Sequence, residues 1–263
     1  MIIKPKKSLG QNFLVDKYII EKIINTVEIS EDSEILEVGP GTGNLTECIL
    51  RKKPKEIYVI EKDKTLVPCL ENKFNNKIKI INEDVLKINE NSISKKKLIV
   101  FGNLPYNIST ELIIKWILNL DKEFWFTKLV LMFQKEVADR IIAKINTSSY
   151  GRLTILSNWK LDIKKIIDIG PNSFFPKPKI DSSLLIFSPK KNYFKIKKAK
   201  NLEIITRIFF NHRRKMIKKP FNQIFQNSNN IQKKLELDLN LRPQNISIDK
   251  YFEITKEYEN LRN

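Results

Sequence analysis

Three groups of residues have types and spacing suited to chemistry. Gly39, Gly41 and Gly43 fall in ILEVGPGTGNLTE, where glycine lets a ligand lie against bare backbone beside a helix N-terminus. Glu61 in YVIEKD and Asp84 in INEDV each place a carboxylate at the end of an expected strand. Asn103, Leu104 and Tyr106 stand in NLPY, where an amide oxygen, a main-chain carbonyl held by proline and an aromatic face follow the run LIVF. Glu61 can accept both hydroxyl protons of a ribose, and Asp84 can accept from an adenine amino group, with Val85 packing nearby. An adenosine-bearing cofactor fits that set, either S-adenosylmethionine or NAD. The GxGxG spacing departs from the GxGxxG of dinucleotide sites, and the sole histidine, His212, lies far off as a proton donor, so NAD is disfavoured. The NLPY inventory suits an exocyclic amine on a flat base.

The elements that must position these groups are legible as short apolar runs at 35–38, 57–60, 78–81, 98–101, 129–133 and 183–187, with intervals long enough for helices. Such alternation predicts an α/β fold, a parallel sheet covered on both faces, with ligands outside the carboxyl ends of its strands. Residues 16–28 carry Ile19, Ile20, Ile23, Ile24 and Val27 at helical spacing with Asp16 as N-cap. Ser109 or Thr110 is expected to cap a helix that turns Leu112, Ile113, Trp116 and Ile117 inward. Beyond SPKKN the chain reads as helical, with Arg207, Asn211, Arg214 and Lys218 along one face. This predicts two domains, 1–188 and 189–263.

The 263 residues carry a net charge of +18, and residues 189–263 hold 18 Lys+Arg against 7 Asp+Glu, a concentration that points to a polyanionic partner. No apolar run approaches the roughly 20 residues of a membrane helix, and no secretion signal opens the chain. Two cysteines without a CxxC pair give no disulfide or metal framework, so a reducing cytoplasm is expected and no metal.

EVGPGTG with NLPYNIST resembles the rRNA adenine-N6 methyltransferases. KSLGQNFL (7–14), LMFQKEVADRI (131–141), YGRLTIL (150–156), FFPKPKIDS (174–182) and FFNHRRK (209–215) extend the resemblance to the bacterial small-subunit (16S) adenine-N6,N6-dimethyltransferases of the KsgA type. The resemblance implies a Rossmann-like S-adenosylmethionine-dependent methyltransferase fold, a mostly parallel seven-stranded sheet with helices on both faces, plus a small all-helical C-terminal domain. It implies cofactor contacts from Gln11, Asn12, Leu14, Glu37, the Gly39 to Gly43 loop, Glu61, Asp84, Val85 and Asn103. Asn103, Leu104, Tyr106 and Phe174 would handle the target base, with Phe175 as the other stacking candidate. Arg207, Arg213, Arg214, Lys215 and Lys218 would grip RNA phosphates. The implied reaction is dimethylation of two adjacent adenosines in the 3′-terminal hairpin loop of small-subunit rRNA, by a monomer acting on an assembling 30S subunit. The macrolide-resistance methyltransferases of large-subunit (23S) rRNA share GQNF, the NxPYNIST turn and an FxPKPK segment and are the alternative, and a non-catalytic assembly factor on the same fold is a second. Pro220 departs from the family pattern, which continues a helix there.

Overall fold

The computed structural model describes residues 5–120, 123–226 and 228–262. In chain order its elements are β1 (Phe13–Leu14), α1 (Lys17–Ile24), β2 (Glu34–Val38), α2 (Asn44–Arg51), β3 (Glu56–Ile60), α3 (Val67–Phe74), β4 (Lys79–Ile81), β5 (Leu98–Asn103), α4 (Tyr106–Leu118), β6 (Phe126–Gln134), α5 (Lys135–Ile141), α6 (Arg152–Lys160), β7 (Leu161–Ile169), β8 (Phe174–Phe175), β9 (Ser182–Pro189), α7 (Ala199–Phe210), α8 (Lys218–Phe225), α9 (Asn229–Lys234) and α10 (Ile248–Asn260). They form two compact units, one of residues 1–115, 120–138 and 163–189, the other of 116–119, 139–162 and 190–263.

The first unit is built on a seven-stranded sheet in the order β4-β3-β2-β5-β6-β9-β7. β2, β3, β4, β5 and β6 pair in parallel, and β9 runs antiparallel to β6. Every residue of β2 is buried, as continuous apolar strands require when both faces are covered. Between β2 and β5 the order reverses: the chain runs from β2 outward to β4, then crosses to β5 on the other side. Such a reversal opens a crevice at the carboxyl ends of the two strands, the place where open α/β sheets take ligands. The register pairs Val38 with Gly102, so the glycine loop and NLPY leave the sheet side by side.

Several elements differ from expectation. The N-terminal helix stops at Ile24 rather than residue 28, with Asn25 as its C-cap, although Asp16 does cap it by accepting from the Ile19 N–H at 3.2 Å. Helix α4 starts at Tyr106, earlier than Ser109 or Thr110, because the Pro105 carbonyl already accepts from the Ile108 and Ser109 N–H groups. Ser109 instead donates from its hydroxyl to the Tyr106 carbonyl within the first turn. Leu112, Ile113, Trp116 and Ile117 are buried as the spacing predicts. Strand β7 was not foreseen, because its lysines at 164 and 165 break any apolar alternation. Nor was the two-stranded pairing of β1 with β8, too short to give a periodic signal.

The second unit is helical. Leu202, Ile205 and Phe209 of α7 are fully buried, as are Tyr251 and Ile254 of α10, and the Phe209 and Tyr251 rings meet edge to face with centroids 5.7 Å apart. Glu259 of α10 accepts from the Lys197 and Lys198 N–H groups at 2.9 Å each, satisfying donors at the start of α7. Residues 139–162, expected in the first domain, belong to this unit because Tyr150 packs against Phe210 at 6.4 Å and bonds the Ile246 carbonyl, while the Trp159 indole N–H donates to the Phe194 carbonyl. The expected basic face of Arg207, Asn211, Arg214 and Lys218 is not one helix face: α7 ends at Phe210 and Lys218 opens α8. Pro220 lies in the first turn of α8, where its missing N–H has no intrahelical partner to lose.

Candidate active site

The crevice at the strand reversal holds a cavity of about 880 Å³, open mouth included. Of the residues singled out by sequence, Gln11, Asn12, Gly39, Gly41, Glu61, Asp84, Val85, Asn103, Leu104 and Tyr106 line it. Leu14, Glu37, Gly43 and Phe174 do not.

Each exception has a physical reason. Leu14 is 5% exposed and packs into the core beneath the cavity. Gly43 caps α2 at φ +75°, and a Cβ there would lie 2.5 Å from the Phe74 ring, so its missing side chain makes room for α3 rather than for a ligand. Gly41 lines the cavity, yet at φ +57° its Cβ would strike the Phe13 ring at 2.6 Å, so this glycine too serves local packing. Only Gly39 of the three has an open flank, facing the Asn103 carbonyl at 3.6 Å. Glu37 is 1% exposed and accepts from the Thr46 hydroxyl at 2.6 Å; burial pushes its carboxyl up to about 7, against the opposing Thr46 bond, with the neighbouring Glu61 charge adding to the rise. Phe174 is 4% exposed and sits in the main hydrophobic cluster, whereas Phe175, one residue on in β8, is 60% exposed. The strand alternation thus turns the expected stacking ring inward and its neighbour outward.

Glu61 follows β3 directly. Its carboxylate accepts from the Asp63 N–H at 2.8 Å and the Gly41 N–H at 3.3 Å. Burial raises its pKa while these backbone donors oppose the rise. Each oxygen retains a lone pair, the inventory needed to accept two vicinal hydroxyls. Asp84 accepts from Lys62 Nζ at 2.7 Å and from the Leu86 N–H at 3.0 Å, and the Lys62 contact leads the causes that hold its carboxyl low.

Asn103 ends β5, and its Nδ2 donates to the Asn12 main-chain carbonyl at 2.7 Å. A carbonyl can only accept, so the amide orientation is fixed and Oδ1 is the end left for a ligand. Tyr106 lines the same cavity, and its hydroxyl shares a 2.6 Å hydrogen bond with Ser182. Burial raises the phenol pKa. Together the cavity offers acceptors for a ribose, an open glycine flank, a fixed amide oxygen and an aromatic ring, which is the chemistry an adenosine-bearing methyl donor and a flat base require. Among the described residues no group of three His, Cys, Asp or Glu side chains is placed to hold a metal, and no helix is long and apolar enough to cross a membrane.

Sequence reasoning missed Asp63. It bonds Lys6, Gln11 and Thr65, and a pairing across more than fifty residues leaves no local signature. In the second unit, Arg214, Lys215 and Lys218 of the expected RNA-binding set line a broad basic cleft with Lys219 and Arg242. Arg207 is not among its lining residues. Arg213 is turned inward, donating to Gln244 Oε1 at 3.0 Å and the Thr147 carbonyl at 3.2 Å.

The family model "Ribosomal RNA adenine dimethylase" matches residues 2–260. The chain is 63% identical over 262 residues to "Ribosomal RNA small subunit methyltransferase A" of Pelagibacter ubique, covering 100% of both chains. It is 42% identical to the protein of that name from a Wolbachia of Drosophila simulans, covering 95% of this chain and 92% of the relative. Among solved structures, a dimethyladenosine transferase from Plasmodium falciparum superposes with a TM-score of 0.78 at 26% identity, over 94% of this chain and 98% of the other. The 23S rRNA methyltransferase ErmE shares the fold with a TM-score of 0.70 at 20% identity, over 94% and 100%. The chain belongs to the ribosomal RNA adenine dimethylase family, enzymes that use S-adenosylmethionine to methylate rRNA adenines.

Proposed function

We propose that this enzyme dimethylates N6 of two adjacent adenosines in the 3′-terminal hairpin loop of small-subunit (16S) rRNA, as a cytoplasmic monomer working on an assembling 30S subunit. The observation that carries the reading is the Asn103 carboxamide, held by the Asn12 carbonyl with its oxygen free inside the cavity that also contains Glu61 and Asp84. The small-subunit assignment, rather than the large-subunit one, is supported by full-length identity of 63% to a relative so named, whereas the ErmE likeness carries the fold alone.

S-adenosylmethionine supplies an electrophilic methyl group when bound. Glu61 would accept from its ribose hydroxyls and Asp84 from its adenine amino group, and Gly39 would admit it along the open flank. Adenine N6 is a weak nucleophile because its lone pair is delocalised into the ring. Asn103 Oδ1 and the Leu104 carbonyl accept the two N6 hydrogens, which turns the amine toward tetrahedral geometry and aims its lone pair. No dedicated base is needed: preorganised acceptors stabilise the charge that grows on nitrogen, alignment contributes up to about 7 to 11 kcal/mol, and once the N6–carbon bond has replaced the sulfur–carbon bond the surplus N6 proton leaves to water. Tyr106 stacks on the extruded base, a contact worth roughly 1 to 3 kcal/mol, held by its bond to Ser182. The second aromatic face comes from the exposed Phe175 rather than from the buried Phe174. Residues 190–263 bind RNA through the basic cleft, with Arg214, Lys215 and Lys218 on phosphates.

The test is incubation with labelled S-adenosylmethionine and undermodified small subunits, followed by mass mapping of the rRNA. Dimethylation at two adjacent adenines is expected, with Asn103→Ala losing transfer while cofactor affinity changes little. Full activity in that variant removes the mechanism, and label on large-subunit rRNA alone removes the substrate assignment.

A further inference from the structure

The N-terminal segment is tied to the cavity through one carboxylate. Asp63 lies two residues past Glu61 and is 4% exposed. Its Oδ1 accepts from Lys6 Nζ at 2.6 Å, the Thr65 hydroxyl at 2.7 Å and the Thr65 N–H at 3.0 Å, and its Oδ2 accepts from Gln11 Nε2 at 2.8 Å. The other end of the Gln11 amide, Oε1, accepts from the Lys6 N–H at 2.7 Å. Lys6 and Gln11 are thereby closed into a ring on Asp63. Gln11, expected to touch a cofactor, spends both ends of its amide on this ring. The next residue, Asn12, offers the carbonyl that receives Asn103 Nδ2.

We infer that Asp63 is a positioning residue for methyl transfer: by clasping Lys6 and Gln11 it places the Asn12 carbonyl where that group fixes the Asn103 carboxamide, oxygen inward. The inference rests on the role proposed for Asn103. Asn12 and Asn103 are 91 residues apart in sequence, so no local backbone rule sets their distance. Among the described residues, the side-chain hydrogen bonds that tie residues 6–12 to the rest of the chain go to Asp63, Thr65 and Asn103. Without the clasp, the ties left to segment 6–12 are its junction with β1 and the single Asn12–Asn103 bond itself. The Asn12 carbonyl would then be held less firmly, and the Asn103 amide would turn its NH₂ toward the base more often than in the intact protein. Burial acts to raise the Asp63 pKa, but the Lys6 ammonium and the Thr65 and Gln11 donors outweigh it and hold the carboxyl well below the usual range. The clasp is therefore charged throughout the working pH range, and its bonds are charge-assisted.

Asp63→Asn keeps the shape and an acceptor for Thr65, but loses the ion pair and cannot accept from Gln11 in the same orientation. Lys6→Met removes the other partner, and Lys6→Arg restores a cation. Two readouts decide. In the cofactor-free protein, amide hydrogen exchange across residues 6–12 should accelerate in Asp63→Asn and Lys6→Met while exchange in β2 and β5 stays unchanged. At saturating S-adenosylmethionine and RNA, kcat per folded enzyme should fall by about tenfold or more in each, given how steeply rate depends on alignment. The double variant should be no worse than the poorer single, and Lys6→Arg should stay near wild type. Unchanged kcat, or unchanged exchange in 6–12, overturns the inference while leaving the proposed function standing. Absence of methyl transfer by the wild-type chain sinks the function and this inference together.

Discussion

Glu37 gives a prediction whose size follows from its surroundings. The residue is the penultimate one of β2, 1% exposed, with the Thr46 hydroxyl donating to it at 2.6 Å. Burial lifts the carboxyl from 4.5 to about 7. In the unfolded chain it returns to its ordinary value, so between pH 4.5 and about 7 the folded state binds more protons than the unfolded one, and stability must decline as pH rises through that window. At about 1.4 kcal/mol per pKa unit, the full loss is about 3 kcal/mol. Glu37→Gln keeps the shape and can still accept from Thr46, but has no proton to lose. Urea unfolding of both proteins at several pH values from 5 to 8 reads this group against a common background, because every titration not coupled to Glu37 cancels in the difference. The variant should match the wild type near pH 5 and exceed it by about 2 to 3 kcal/mol at pH 8. A difference that stays constant across that range would show that Glu37 does not titrate between those limits, and would refute the account of a neutral carboxylic acid beneath the glycine loop.

The two phenylalanines of β8 should separate cleanly. Phe174→Ala should cost about 3 to 5 kcal/mol in unfolding experiments, as removal of a core ring does. Phe175→Ala should leave stability within about 0.5 kcal/mol and raise the KM for RNA; the reverse pattern would return the stacking role to Phe174. In the second unit, Lys218→Ala and Lys219→Ala should each lower the slope of log affinity against log salt by about 0.7 to 0.9 in RNA-binding titrations. Arg213→Ala, which removes bonds to Gln244 and Thr147, should lower the melting temperature and leave that slope unchanged.

The sheet was legible because buried parallel strands read as unbroken apolar runs, and the chemistry of such sheets gathers at strand ends. Glu61, Asp84 and Asn103 each follow such a run, and all three line one cavity. What the sequence concealed were matters of facing and distance. A pattern of letters does not say which of two adjacent phenylalanines points inward when the strand is two residues long. Nor does it separate a glycine that faces a ligand from one that yields to Phe13 or Phe74, since either leaves the same residue in the chain. The Asp63 clasp escaped because ion pairs across long loops have no periodicity. Lys164 and Lys165 hid β7, whose partly exposed face tolerates charge. The basic stripe beyond residue 200 failed as a helix face because spacing alone carries no sign that α7 stops at Phe210.

In the role proposed for it, the fixed Asn103 amide would also bear on which nucleobases the site tolerates. With Nδ2 committed to Asn12, the atom that meets a visiting base is a lone-pair donor. An adenine edge answers it with an N–H. A guanine would bring its O6 to the same spot, oxygen against oxygen in a desolvated pocket, and the mismatch would leave both acceptors unsatisfied at about 1 to 3 kcal/mol each. On that reading, purine choice would be written into a hydrogen bond that no substrate atom takes part in.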